Sequence, residues 1–345
     1  MTTAELTTPA PAGTTGGARR SRRATATYLA GRGTEYAIVL ALALVINFAL
    51  PRALPGGPLR TLGGGENVGA LSTEDQQRIL AEYGLDRSLW EQFLTYLGNV
   101  FTLDLGTSFA DGQPVLDSIT QALPWTMLLV GSSIVCTALI GVALGTWAGL
   151  RRRRGKGSGL LSTALLFDSI PSFWLGMLFI AFFGVYLGAF PTFGVGSGWD
   201  DPTSLAHHLV LPVLTLTLTG FGQLFLVTRA SMLSVLAADH IEHARARGVP
   251  PGRLLRRHAL RPALLPVHTV LMMEIGFLVG GALVVETVFA YPGLGRVTFD
   301  AIQARDFPLM QGTFLVLTVA VVAMNALADA TYALIDPRVR TAAIT

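Results

Sequence analysis

The chain has 345 residues, 51% hydrophobic and 14% charged, with a mean hydropathy of +0.53. Soluble domains carry about 25% charged residues, so an ordinary soluble globular protein is excluded. Net charge is +3 and Cys136 is the only cysteine, which excludes a disulfide framework or a cysteine metal site within one chain.

From the N-terminus, residues 1–34 are rich in Thr, Ala, Gly and Pro, with a basic cluster at Arg19, Arg20, Arg22 and Arg23. So little apolar surface predicts a disordered tail. The run 36–54 is longer than a signal-peptide core and lacks a small-x-small cleavage site after it, so it reads as a first span. Five more runs follow at 123–150, 160–187, 209–227, 263–288 and 310–335, each near or above the roughly 20 residues a helix needs to cross a bilayer. The expected fold is an all-α integral membrane protein with six transmembrane helices, one membrane domain over 35–340 and a short tail over 341–345.

Basic residues sort by loop. Nineteen of the 25 fall in the N-terminal tail, in 151–156, in 229–261 and in the C-terminal tail. The other six are Arg52, Arg60, Arg78, Arg87, Arg296 and Arg305. By the positive-inside rule both termini are expected to be cytoplasmic, and the basic excess, being explained by topology, gives no reason to expect nucleic acid as a partner.

The external loop 55–122 contains two short amphipathic patterns. Thr73 with Gln76 predicts a capping box ahead of Ile79, Leu80 and Tyr83, with Gly84 as the stop. Ser88 with Glu91 predicts a second, whose Phe93, Tyr96, Leu97 and Val100 share one helix face. That face fits a packed cap over the span ends and a partner-docking surface equally well. The cytoplasmic loop 230–262 reads as helix, hard stop, helix: Gly248 suits a left-handed position, while Pro250 and Pro251 end one helix and begin the next. Such an element is rigid and angular, suited either to a partner or to an elbow between spans.

Charged or polar residues within spans are costly and are functional candidates by default. Asp168 stands three residues before Pro171 and is expected to satisfy backbone groups freed by a kink, or to line a path. Glu274 has Gly276 and Gly280 beside it, a small-residue surface permitting close helix approach, and is expected to face the translocation path or a partner. Glu286 is expected to act as a gate or cap beside the turn 289–295 that holds Pro292. Asn325 and Asp329 share a face and are expected to tie helices together, with Arg229 as one possible partner. Gly141, Gly145 and Gly149 form a flat packing face. His207 and His208 lack carboxylate or cysteine companions and read as interfacial polar residues, so no metal site is expected.

The spacing Glu242-x-Ala244-x-x-x-Gly248, followed by His258-Ala-Leu-Arg261, resembles the EAA loop of permease subunits of binding-protein-dependent ABC importers, dipeptide/oligopeptide/nickel branch. Further similarity lies at Tyr83-Gly-Leu-Asp86, Asp104-Leu-Gly-Thr-Ser108, Leu123-Pro-Trp-Thr126, and Ser169-Ile-Pro-Ser-Phe-Trp-Leu-Gly176. It continues at Val285-Glu-Thr-Val-Phe-Ala-Tyr-Pro-Gly-Leu-Gly295, Arg305-Asp-Phe-Pro308 and Asp336-Pro-Arg-Val-Arg340. The resemblance covers about residues 36–340, and the order of these motifs on a six-span frame makes it specific.

The resemblance implies a type I ABC importer permease fold and a first, B-type permease in a bacterial inner membrane. Its implied partners are a second, different permease, two cytoplasmic ATPase subunits and an external substrate-binding protein. Glu242, Ala244, Arg245, Gly248, Pro250, Arg253 and His258 are implied as the ATPase-coupling residues. Gly248 would keep the turn tight, Ala244 and Ala246 would allow close seating, and Glu242, Arg245 and Arg253 would make charged rim contacts. The Glu242–His243 pair departs from the residues common in that branch. With no Gly-x-x-x-x-Gly-Lys-Ser/Thr motif, the chain is expected to be a translocation subunit without catalytic residues or bound cofactor, ATP and Mg belonging to the partner ATPases. Peptides are the implied cargo, with nickel or another small solute as the alternative. A proton-coupled secondary transporter using Glu274 or Asp329 would instead predict internal repeats, and none is evident. An intramembrane aspartyl protease lacks the context expected around Asp168 and Asp329.

Overall fold

The computed structural model describes residues 15–53, 74, 77, 78, 81, 85–151 and 157–335; side chains at 15–30, 51, 157–158, 276–279, 328–330 and 332–335 are outside that description. Apart from one isolated bridge between Thr107 and Pro114, regular structure among the described residues is helical.

Helix α1 runs Thr15–Ala53 and so begins 21 residues ahead of the span expected at 36–54. Extending a helix already nucleated by an apolar run costs little in an Ala- and Arg-containing segment, so the disordered reading of 1–34 is corrected from Thr15 onward. The first amphipathic pattern, with Thr73, Gln76 and Gly84, lies outside the described residues. The second forms α2, Leu89–Thr102. Its capping box is complete: Ser88 Oγ accepts from Glu91 N at 3.3 Å while Ser88 N donates to the Glu91 carboxylate at 3.1 Å. Leu103, left-handed at φ 58°, ends it.

Helix α3, Val115–Leu150, has 36 residues and is about 54 Å long, against a hydrocarbon core of about 30 Å. It therefore begins well before the expected position 123. Its glycines face α6, Pro202–Leu236. A Cβ at Gly141 would stand 3.0 Å from Leu224 Cβ, one at Gly145 2.6 Å from Thr228 Cβ, and one at Gly149 2.7 Å from Met232 Cβ. These contacts pair 141, 145 and 149 with 224, 228 and 232 in ascending order, so α3 and α6 run parallel along a seam only glycine permits.

The third apolar run is broken. Helix α4, Gly157–Asp168, and α5, Ser172–Phe179, continued by a π-helical turn Ile180–Tyr186, meet at 102°. Pro171 lacks an N–H and disfavours helical geometry in Ile170, which forces the break. The hydroxyl that eases it belongs to Ser169, donating to Leu165 O at 2.8 Å. Asp168 makes no hydrogen bond to the backbone of the break among the described residues, so the expectation that it satisfies the kink is corrected.

Helix α7, Asp239–Ala246, follows α6. A turn at Pro251–Arg253 and a π-helical stretch Leu254–Ala259 lead into α8, Leu260–Val288. The chain bends by 54° between Pro251–Ile275 and Gly280–Val288, where Gly276, Gly280 and Gly281 weaken the helix. Helices α9, Leu294–Ala304, and α10, Phe307–Ile335, complete the fold. Among the described residues four helices are long and apolar enough to cross a membrane, or up to six spans if each bent pair counts as one.

Because α3 and α6 are parallel, α7 sits at the end of the bundle opposite the segment 85–114. The start of α1 and the end of α10 belong to the α7 end, since Asn47 near the far end of α1 donates to Gln311 O at the start of α10, 2.8 Å away.

Candidate functional site

At the α7 end the element 239–259 is closed by a two-bond stop. Gly248, at φ +74°, donates to Arg245 O at 2.9 Å and Val249 donates to Ala244 O at 3.2 Å. This is the Schellman arrangement, which needs a residue free to take positive φ. Pro250 then caps a turn that Pro251 opens.

Two faces result. Ile241, Ala244, Leu254 and Ala259 are buried with Met232 and Ala263, which fixes the element on α6 and the start of α8. Glu242, His243, Arg245, Ala246, Arg247, Gly248, Pro250, Arg253, Arg256 and Arg257 are exposed. Ala244 therefore packs within its own chain, and its expected role in close seating against a partner is corrected; Ala246 alone keeps that exposure. His258 is half-buried. The exposed face carries two carboxylates, of Asp239 and Glu242, and five guanidinium groups, giving a cationic rim on a rigid mount.

At the opposite end two buried carboxylates tie distant segments together. Glu286 is fully buried. It accepts from Thr126 Oγ1 at 2.7 Å, from Gly295 N at 2.6 Å and from Arg296 N at 3.3 Å. Thr126 Oγ1 in turn accepts from Leu294 N at 2.7 Å. The first N–H groups of α9, which Gly293 cannot cap with a side chain, are thus satisfied from α3 and α8. The tight turn that presents them centres on Pro292, with Gly293 N donating to Tyr291 O at 2.8 Å, an inverse γ geometry. Tyr291 is buried and donates to Trp125 O at 3.1 Å, while Trp125 stacks on Trp199 at 4.5 Å. Of the two roles expected for Glu286, the geometry is that of a cap.

Asp306 is the second. Fully buried, it accepts from Ser108 Oγ at 2.5 Å, Ala110 N at 3.1 Å and Leu309 N at 3.1 Å. It caps α10 and holds the loop before α3 in one step. Thr126, Ser108 and Asp306 were not singled out as site residues. Nothing in local spacing links Thr126 to Glu286 or Ser108 to Asp306, although all four lie in the sequence motifs quoted above.

Midway along the bundle a cavity of about 560 Å³ opens beside the α4–α5 break. Asp168, Ser172, Thr219, Gln223 and Glu274 supply its polar lining, and Leu216, Val270 and Met273 its apolar walls. The structure thus brings together Asp168 and Glu274, two of the four path candidates, and leaves Glu286 and Pro292 at the far end. Among the packing candidates, Gly141 and Gly145 meet α6 as described. Gly280 has nothing within 4 Å of a Cβ position among the described residues, so the surface expected to face the path or a partner is open on that side; the Gly276 side-chain position lies outside the description. Asn325 is exposed, and the Nε of Arg229 has no partner among the described residues; the tie expected from Asp329 lies outside the described side chains. His207 and His208 contact backbone carbonyl groups, of Ala189 at 3.0 Å and Ser204 at 2.8 Å.

A helical bundle with glycine seams, a broken apolar run, a mid-bundle cavity and a rigid cationic element at one end defines a multi-pass membrane protein built for transport. Residues 141–341 match the family described as binding-protein-dependent transport system inner membrane component, and the chain belongs to that family. A Brucella abortus relative named as the permease protein of a peptide transport system is 40% identical over 88% of this chain and 95% of its own. The oligopeptide transport system permease protein AppB of Bacillus subtilis is 35% identical over 86% and 93%. The dipeptide transport system permease protein DppB of Escherichia coli is 32% identical over 86% and 93%. A chain of the MetNI methionine ABC transporter, inward facing, superposes with a TM-score of 0.54 at 19% identity, covering 65% of this chain and 98% of that one; it supports the type I ABC importer permease fold. The chain is the permease of a peptide-type ABC importer, and the secondary-transporter and protease readings are set aside on family membership.

Proposed function

We propose that this permease forms, with a second permease, the path by which peptides delivered by an external binding protein enter the cell. ATP and Mg are bound by two ATPase subunits, and this chain carries no catalytic residue. The observation that carries the proposal is the element 239–259: a stop-locked helix pair, anchored by Ile241 and Ala244 and exposing Glu242, Arg245, Gly248 and Arg253. Seated in an ATPase groove, it passes closure of the ATPase pair to α6 and α8 as a rigid-body movement. In this reading the α7 end faces the cytoplasm, with both chain termini, in keeping with the basic loops. Asp168, Gln223 and Glu274 line the path where α4, α6 and α8 meet. The names of the relatives favour peptides over nickel or another small solute as cargo.

The test is Gly248→Trp. Beyond its chain neighbours no described atom stands within 4 Å of a Cβ at the exposed Gly248, so a side chain can leave the backbone there without a clash and the cost is the positive φ, about 1–2 kcal/mol. Tagged wild-type chain purified in mild detergent is expected to bring down ATPase subunits and a second permease, with ATPase activity. The variant keeps the second permease and loses the ATPases together with peptide uptake. Normal uptake by Gly248→Trp would refute the coupling assignment.

A further inference from the structure

Helix α2 carries three faces where an amphipathic helix carries two. Phe93, Tyr96 and Val100 pack inward, Phe93 and Tyr96 against Phe48 of α1 at ring separations of 5.1 and 5.8 Å. Glu91, Thr95, Gly98, Asn99 and Thr102 form an exposed polar face. Between the two, on one side only, runs a strip of Trp90, Leu94 and Phe101, 66%, 49% and 83% exposed. At 3.6 residues per turn these three positions fall within one narrow arc of the helix.

The contacts with α1 fix which way the strip looks. Along α1 the chain leaves the apolar run Gly31–Leu50 and passes Phe48 before reaching Arg52. Phe48 touches the inward face of α2. Arg52, one turn further from the middle of the span, donates to Gln92 Oε1 at 3.0 Å at the border of the polar face. Its guanidinium lies 3.6 Å over the Phe48 ring, the posture of a cation reaching from the apolar layer to water. Moving outward along α1 is therefore moving round α2 toward its polar face. The strip lies on the other flank, toward the middle of the span, at the level of Val45 and Ile46, which are 49% and 52% exposed.

We infer that α2 is an interfacial helix, lying along the membrane surface at the end of the bundle opposite α7, with Trp90, Leu94 and Phe101 in the lipid acyl region and Glu91, Thr95 and Thr102 in water. The occupant of the strip is bilayer lipid. Its apolar surface is continuous with the exposed flank of the α1 span, and an indole at its border is the side chain favoured at that depth. The helix sets the height of the 85–114 segment, and with it the Ser108–Asp306 contact, relative to the bilayer.

The test is a nitroxide scan of α2 in the assembled transporter in lipid nanodiscs, in a Cys136→Ser background, with single cysteines at 90, 91, 94, 95, 101 and 102. Collision with oxygen, which partitions into lipid, is compared with collision with a water-soluble nickel chelate. Labels at 90, 94 and 101 are expected to favour oxygen and those at 91, 95 and 102 the chelate, alternating with the helical period. Chelate preference at all six positions would overturn the inference by placing the strip in water. Weak collision with both reagents at 90, 94 and 101 would overturn it by placing a protein partner there. Neither outcome touches the coupling role of 239–259.

Discussion

Single residues at the end opposite α7 do work that their own helices cannot. The start of α9 has no capping side chain, and its N–H groups reach Glu286 and Thr126 instead. A Glu286→Gln change keeps the shape and halves the acceptor oxygens, so either Thr126 Oγ1 or Gly295 N loses its partner inside the core. A buried donor left without one costs about 1–3 kcal/mol. The variant is expected to assemble and to melt at a lower temperature in detergent than wild type, and an unchanged melting temperature would show that the cap contributes nothing. Gly293 and Gly295 belong to the same device, since a Cβ on either would collide with the Glu286 carboxyl group. This pairing was not legible in the sequence. Glu286 stood out as a costly residue near a turn, but its partner lies 160 positions away, and no periodicity rule reaches across that distance.

Elements follow local chemistry where local chemistry is strong. The Ser88–Glu91 box and the Gly248–Pro250–Pro251 stop could be read residue by residue, because each is satisfied within a few positions of itself. The run 160–187 was legible as apolar but not as broken by 102°; hydrophobicity is blind to direction, and Pro171 alone permits a kink of any size in a span whose neighbours re-satisfy the backbone. The glycines of α3 show the same division. Spacing marked a flat face at 141, 145 and 149, and only the structure says that it meets α6. The prediction at this scale is a contrast within one helix. Gly145→Ala puts a methyl 2.6 Å from Thr228 Cβ and 2.8 Å from Phe225 O, and backbone cannot yield as a side-chain end can; the expected loss is about 1–3 kcal/mol. Gly131→Ala, with nothing within 4 Å, is expected to be neutral or to stabilise by up to about 1 kcal/mol through helix propensity. Thermal unfolding of the two purified variants decides it, and equal loss in both would mean that the seam is not close-packed.

At the scale of the molecule, the parallel α3–α6 pair joins the two ends: Thr126 near the start of α3 is held in the Glu286 cap, and Met232 near the end of α6 is buried with Ile241 and Ala244 of the element 239–259. Beside this pair, the α4–α5 break and α8 border the open cavity with Asp168, Gln223 and Glu274. A path for peptides must be wet, because charged cargo in a dry apolar cavity would be prohibitively costly. The outward side of α3 at Val135 and Leu139 is 57% and 66% exposed and, under the same reading, faces lipid or the second permease. In a Cys136→Ser background, single cysteines at Thr219, Gln223 and Met273 are therefore expected to react with a charged, water-soluble maleimide, and those at Val135 and Leu139 to stay unreacted. Saturating peptide together with the binding protein should slow the first three and leave the last two unchanged. Protection confined to that set would make the cavity the route of the cargo. Unreactive cysteines at 219, 223 and 273 in every state of the ATPase cycle would mean that the cavity is dry and that cargo passes elsewhere in the assembly.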